Sequence, residues 1–180
     1  MDRTVAGATR STHENDSGTT PPLDIVLVEP EIPGNTGSTA RTCAAIGASL
    51  HLVHPLGFDT DEAAVRRAGL DYWHLVDIQH HAGFDELEPM FRERKCLFAS
   101  TKGRRLYSEF DMTGPCAIVF GKETEGLSDE ILSRYSESVG RIPIRKDARS
   151  LNLSNAVAVV AFECMRQREF AGLEITGRGI

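Results

Sequence analysis

Three stretches of this chain concentrate groups that could do chemistry: STKGRR at 100–105, GKETEGLS at 121–128 and RKDARS at 145–150. Each follows a run of apolar residues. The first and third bring Lys102, Arg104, Arg105, Arg145, Lys146 and Arg149 together, a set that suits a phosphate-bearing partner. The plainer reading is that these are ordinary solvated loop charges. Gly121 and Gly126 would let the backbone approach a ligand closely. Neither glycine belongs to a Walker A loop, which ends in GK[ST], and GNTG at 34–37 lacks the GxGxxG spacing. The third stretch runs into RSLNLSNAVAVVAF at 149–162, whose second half is apolar and free of Gly and Pro. That half reads as a helix buried on most sides. Asn152 or Ser154 would cap it, and its N-terminus could hold an anion or a polar ligand.

The elements that must position these loops follow from the apolar pattern. LDIVLV is a buried strand; PGNTGSTARTCAAI turns at Pro33-Gly34 and forms a helix capped by Asn35 or Thr36 and stopped at Gly47; SLHLVH is a second strand. Strand, turn, helix, strand is a βαβ unit, which implies a parallel sheet. DEAAVRRAGL reads as a short helix carrying Arg66 and Arg67, and HLVDI as an edge strand. GFDELEPMFRER reads as an amphipathic helix interrupted by Pro89. KCLFAS, CAIVF and SVGRIPI are three further strands, with a helix starting at Ser128 after the second. In a parallel sheet the loops leaving strand C-termini share one edge, so the three polar stretches should meet there.

The 180 residues suffice for one domain with a proper core. Residues 1–22 read as a flexible tail, 23–170 as the domain and 171–180 as a C-terminal tail. No apolar run is long enough to span a membrane, and the N-terminus has no secretory h-region. Cys43, Cys96, Cys116 and Cys164 form no CxxC pair and read as four reduced, buried thiols in a cytoplasmic protein. A net charge of −6 disfavours a general nucleic-acid binder, so any RNA contact must come from a local patch. His51 and His54 lack further ligands for a metal, and His80-His81 reads as a solvated loop pair. Tyr72 and Trp73 could stack on a base or pack in a core.

PGNTGSTARTCAAIG, IVFGKETEGLS and RIPIRKDARSLNLSNAVAVVAFE resemble, in order, the three motifs of the SPOUT class of RNA methyltransferases. The likeness is greatest to the YibK-like group and spans 23–168. It implies an α/β fold, a mostly parallel sheet flanked by helices, with a C-terminal deep trefoil knot. It implies S-adenosyl-L-methionine as cofactor, held by Ser100, Gly121, Ile142, Ser150 and Leu151, and no metal. The implied activity is methylation of the ribose 2′-hydroxyl of the tRNA wobble nucleotide, cytidine or uridine, by a homodimer. Arg41 is the implied catalytic residue, with Asn35, Glu123 and Asn152 orienting it, the ribose and the cofactor. Guanidinium stays protonated in proteins, so Arg41 could hold a phosphate and stabilise the alkoxide instead of acting as a base. Lys122 and Glu125 depart from the group's pattern of Pro and a basic residue there, which puts the local phosphate contact in doubt. The alternatives are another RNA substrate, a non-catalytic RNA-binding protein of the same fold, or an enzyme acting on a small nucleotide.

Overall fold

The computed structural model describes residues 20–59 and 72–177. The helix expected over 61–70, with Arg66 and Arg67, lies outside the described residues, as do 1–19 of the N-terminal tail. Strands β1 (Leu23–Val28), β2 (Ser49–Val53), β3 (Ile78–His81), β4 (Lys95–Ala99), β5 (Arg105–Leu106), β6 (Cys116–Phe120) and β7 (Val139–Arg141) form one sheet in the order β3-β2-β1-β6-β4-β7-β5. Every pair in it is parallel. The α-helices among the described residues are α1 (Pro33–Ile46), α2 (Glu88–Glu93), α3 (Asp129–Arg134) and α4 (Leu153–Gln167).

The central strands β1 and β6 are buried along their whole length because both sheet faces are covered; β6 is wholly apolar, and β1 is apolar but for Asp24, which Arg94 and His51 pair. Alternation along β1 divides the core. Ile25 and Leu27 pack with Ala40 and Cys43 of α1 and Val157, Val160 and Ala161 of α4. Val26 and Val28 face the other way, toward Phe91 of α2 and Leu127 and Ile131 at α3. Each fully buried Ile or Leu of this kind contributes about 1.5–3 kcal/mol. The α/β architecture with a parallel sheet is therefore as expected from the sequence.

Several boundaries differ, each for a physical reason. Asn35 and Thr36 do not cap α1; they are buried inside its first turn, with Pro33 at the start and Ile32 at the cap position. Gly47 does end that helix, at φ 70°, the left-handed region that glycine adopts without a Cβ penalty. Pro89 lies in the first turn of α2, its second residue, instead of interrupting a helix, and a 3-10 turn over Phe84–Leu87 precedes it. The edge strand is β3, four residues beyond the expected start, while Trp73–Leu75 is a 3-10 turn. His80 and His81 are thus strand residues, not a loop pair. His81 Nε2 lies 2.9 Å from His51 Nδ1, and His80 Nδ1 lies 2.9 Å from His54 Nε2. Strand β7 stops at Arg141, since Pro143 has no N–H to donate. Cys43, Cys116 and Cys164 are buried, but Cys96 only partly so; all four are free thiols. Among the described residues no helix is long and apolar enough to cross a membrane.

Candidate active site

The loops leaving β4, β6 and β7 converge on the C-terminal edge of the sheet, as parallel topology requires. They enclose a cavity of about 600 Å³, a volume typical of small-molecule sites. Ser100, Gly121, Ile142, Ser150 and Leu151, which the family resemblance implied for cofactor binding, all line it. Asn35, Glu123 and Asn152 line it too. Phe120, Ile144, Leu153 and Ala156 supply apolar wall, and Lys102 and Arg149 supply charge.

Gly121 is required at its place. The chain after β6 folds back so that Gly126 N–H donates to the Lys122 carbonyl at 2.9 Å. A Cβ on Gly121 would lie 2.0 Å from the Gly126 carbonyl carbon. Gly126 itself has φ +73°, which closes the turn.

A directed chain of side-chain hydrogen bonds joins the N-termini of α4 and α1 across the cavity. Asn152 Oδ1 accepts from the backbone N–H groups of Ser154 (3.0 Å) and Asn155 (3.4 Å), and so caps α4. Its amide is thereby oriented, and Nδ2 donates to Asn35 Oδ1 at 2.8 Å. Asn35 Nδ2 then donates to Glu123 Oε1 at 2.8 Å. The Glu123 carboxylate also accepts from the backbone N–H groups of Glu31 (2.8 Å) and Ile32 (3.2 Å). Helix α1 is therefore capped by a carboxylate from a loop some ninety residues later. Three donors thus converge on the Glu123 carboxylate. Thr124 adds a second tie, its N–H and hydroxyl both donating to Glu31 at 3.0 Å. Glu31 and Thr124 carried no sequence signal, because the pairing exists only once β1 and β6 are neighbours.

Arg41 stands apart from this chain. It lies on the exposed side of α1 and is not among the residues lining the cavity, whereas Asn35 is 7% exposed. The two do not share a helix face, and Asn35 sits within the first turn, not in the loop before it. Arg41 Nη2 donates to the Tyr72 hydroxyl at 3.2 Å, and its guanidinium carbon lies 4.6 Å from the centre of the Tyr72 ring. One face of Tyr72 is thus covered by Arg41, and Trp73 packs against the core. Neither is laid out as a free stacking platform.

The loop cations divide into two groups. Lys102 pairs with Asp129 at 2.6 Å and Arg105 with Glu109 at 3.9 Å. Lys122 is held by Glu29 (3.2 Å) and Glu125 (3.3 Å), and these carboxylates raise its pKa. That explains the departure noted at Lys122 and Glu125: the cation is committed inside the loop. Arg104, Arg145, Lys146 and Arg149 are exposed and form no ion pair among the described residues. The described residues contain no group of three or more His, Cys, Asp or Glu that could hold a metal ion.

Known proteins resemble this chain in sequence and in fold. The profile of the SpoU rRNA Methylase family matches residues 22–162. A tRNA (cytidine(34)-2'-O)-methyltransferase of Burkholderia cenocepacia is 46% identical over 154 residues, 83% of this chain and 98% of that protein. A solved structure concerned with the 2-OH methylation of C/U34 on tRNA superposes with a TM-score of 0.77 at 40% identity, covering 84% of this chain and 99% of that one. The SpoU methyltransferase AviRb from Streptomyces viridochromogenes, in complex with the cofactor AdoMet, superposes with a TM-score of 0.73 at 25% identity over 83% of this chain and 59% of that one. With the family profile spanning most of the chain and a relative this similar matched over nearly its whole length, the chain belongs to the SpoU rRNA methylase family.

Proposed function

We propose that this protein methylates the ribose 2′-hydroxyl of the wobble nucleotide of tRNA, cytidine or uridine, using S-adenosylmethionine. The observation that carries this reading is the cavity that gathers Ser100, Gly121, Ile142, Ser150 and Leu151 beside the Asn152–Asn35–Glu123 chain. Its volume, apolar walls and glycine-bearing loop fit the cofactor. When bound, the cofactor supplies a methyl group already activated on a sulfonium, so the protein has only to align and deprotonate the acceptor.

The chain's own groups have defined tasks in that scheme. Backbone at Gly121 and Leu151 and the hydroxyls of Ser100 and Ser150 hold the cofactor, with Ile142 against its apolar parts. The amide–carboxylate chain fixes the starts of α1 and α4, and with them both walls of the cavity. Arg41 remains a cation and holds an RNA phosphate while stabilising the alkoxide that develops on the 2′-oxygen. Tyr72 keeps its guanidinium oriented. Arg104, Arg145, Lys146 and Arg149 grip phosphates at the rim.

The reading includes a homodimer. Val159 and Phe162 of α4 are 38% and 44% exposed on a single chain, an apolar pair that a second copy would cover. It also includes the trefoil knot of the C-terminal part and a cytoplasmic site of action, to which four free thiols are suited. Transfer of labelled methyl from S-adenosylmethionine to unfractionated tRNA, followed by nucleoside mapping, tests the proposal. Label at the 2′-oxygen of nucleotide 34 is expected. Label at another tRNA position, or only on ribosomal RNA, would replace the substrate, and no transfer to any RNA would leave a binding protein. Methylation of a small nucleotide with no salt dependence would rule out the RNA reading, since phosphate contacts weaken steeply with salt.

A further inference from the structure

We propose that Cys116 and Cys164 are an oxidisable thiol pair, activated by the buried Arg168, that closes to a disulfide joining strand β6 to helix α4. The pair lies in the interior, at the start of β6 and in the last turns of α4, and takes no part in the methyl-transfer scheme. Their sulfur atoms are 3.5 Å apart, and both residues are fully buried. A disulfide needs about 2.0 Å, so closure brings the sulfur atoms about 1.5 Å nearer.

Arg168 is the unusual member. It is 7% exposed, and a guanidinium at such a depth normally has an anionic partner. Its hydrogen bonds go to the carbonyls of Pro21, Pro22, Met112 and Gly114, which are neutral, and to Cys116 Sγ at 2.9 Å. Among these acceptors only the Cys116 sulfur can become an anion. The second thiol reinforces the effect: Cys164 Sγ lies within reach of Cys116 Sγ and of the Met112 carbonyl at 3.6 Å. A hydrogen bond from Cys164 and the Arg168 charge together lower the Cys116 pKa, while the Cys164 thiol is pushed up by sharing that bond and by burial.

The other charged groups around the pair are already engaged. Asp24, on the neighbouring strand, is bound by Arg94 at 2.8 Å and by His51 at 3.3 Å. Glu163, beside Cys164, is held by Arg166 at 2.8 Å. At the remaining thiols burial dominates, and at Cys96 the Arg94 charge offsets it only in part. Burial pushes Cys43 up to about 12 and Cys96 up to about 11.

The reaction uses a peroxide, admitted by local opening of the interior. The Cys116 thiolate attacks one peroxide oxygen; the O–O bond breaks and hydroxide leaves, giving the sulfenic acid. Cys164 then attacks the Cys116 sulfur, the S–O bond breaks, and the Cys164 proton leaves with the departing oxygen as water. Thiolate, thiol and hydrogen peroxide thus become disulfide, water and hydroxide. An added dithiol reverses the bond by exchange.

The test treats the folded full-length protein with dilute hydrogen peroxide, then unfolds it, blocks remaining thiols and maps peptides by mass. A Cys116–Cys164 cross-link should form about tenfold or more faster than any modification of Cys96, although Cys96 is the more exposed thiol. Dithiothreitol should remove it. In Cys164→Ser, which keeps a hydrogen-bond donor, Cys116 should stop at a sulfenic acid that dimedone traps. Oxidation of Cys96 first, or oxidation of Cys116 and Cys164 without a cross-link, would overturn the assignment.

Discussion

The hydrogen-bond chain between α4 and α1 runs in one direction only, and that makes Asn152→Asp a discriminating change. Aspartate is as good an N-cap as asparagine, and its charge gains about 0.3–1 kcal/mol from the helix dipole. On capping grounds alone the variant should be as stable as wild type or slightly more so. The structure requires the opposite. The 2.8 Å bond from Asn152 to Asn35 disappears, and two acceptor oxygens face each other at that separation. If Asn35 turns its amide to satisfy the new carboxylate, its oxygen meets the Glu123 carboxylate instead. One buried acceptor is left unsatisfied either way, at about 1–3 kcal/mol. After the dipole gain the net loss is about 1–2 kcal/mol, which lowers Tm by about 3–6 °C in a domain of this size. Adding Glu123→Gln supplies a donor for the turned amide. The double variant should therefore be less destabilised than the sum of the singles by about 1 kcal/mol. Urea unfolding of the four proteins measures the cycle. An Asn152→Asp protein as stable as wild type, or strict additivity in the cycle, would refute the directed chain and with it the positioning role given to Glu123.

Other outcomes follow from the same structure. Arg41→Ala should nearly abolish methyl transfer and leave cofactor affinity unchanged by calorimetry, because Arg41 does not line the cavity. Arg41→Lys separates the two roles open to it, since recovery of activity at high pH would favour a base and silence at every pH would favour phosphate positioning. The protein should sediment as a dimer, and Val159→Glu should give a folded monomer, because that carboxylate stays solvated on a single chain; a dimeric Val159→Glu protein would move the interface elsewhere. Burial, together with His54 for His80 and His51 for His81, lowers the pKa of both strand histidines below 6.5. The unfolded chain then binds more protons, so stability is full above that pH and falls as pH drops through it. Denaturation midpoints at neutral and mildly acidic pH measure the slope, which His80→Gln with His81→Gln should flatten; a flat wild-type profile would contradict it.

The sequence alone determined the parts of this protein that depend on local pattern. LDIVLV and CAIVF read as buried strands, and in a parallel sheet their polar exits meet on one edge. Gly121 and Asn152 were legible because a close backbone turn and a helix start each demand a particular residue type. The three ordered motifs carried the family and seven of the eight expected site residues that line the cavity, Ser100 being the one outside them. Only the tertiary structure decided what depends on contact between distant segments. Glu123 caps a helix about ninety residues earlier, so Asn35 and Thr36 were released from the capping role that local rules gave them. His80 and His81 became strand residues because His51 and His54 stand beside them, and no periodicity within 74–81 encodes that. Lys122 was spent on Glu29 and Glu125, and Arg168 was brought to Cys116. Hydrogen bonds and charge pairs act over a few ångströms in space, and the chain reveals such neighbours only after the sheet has assembled them.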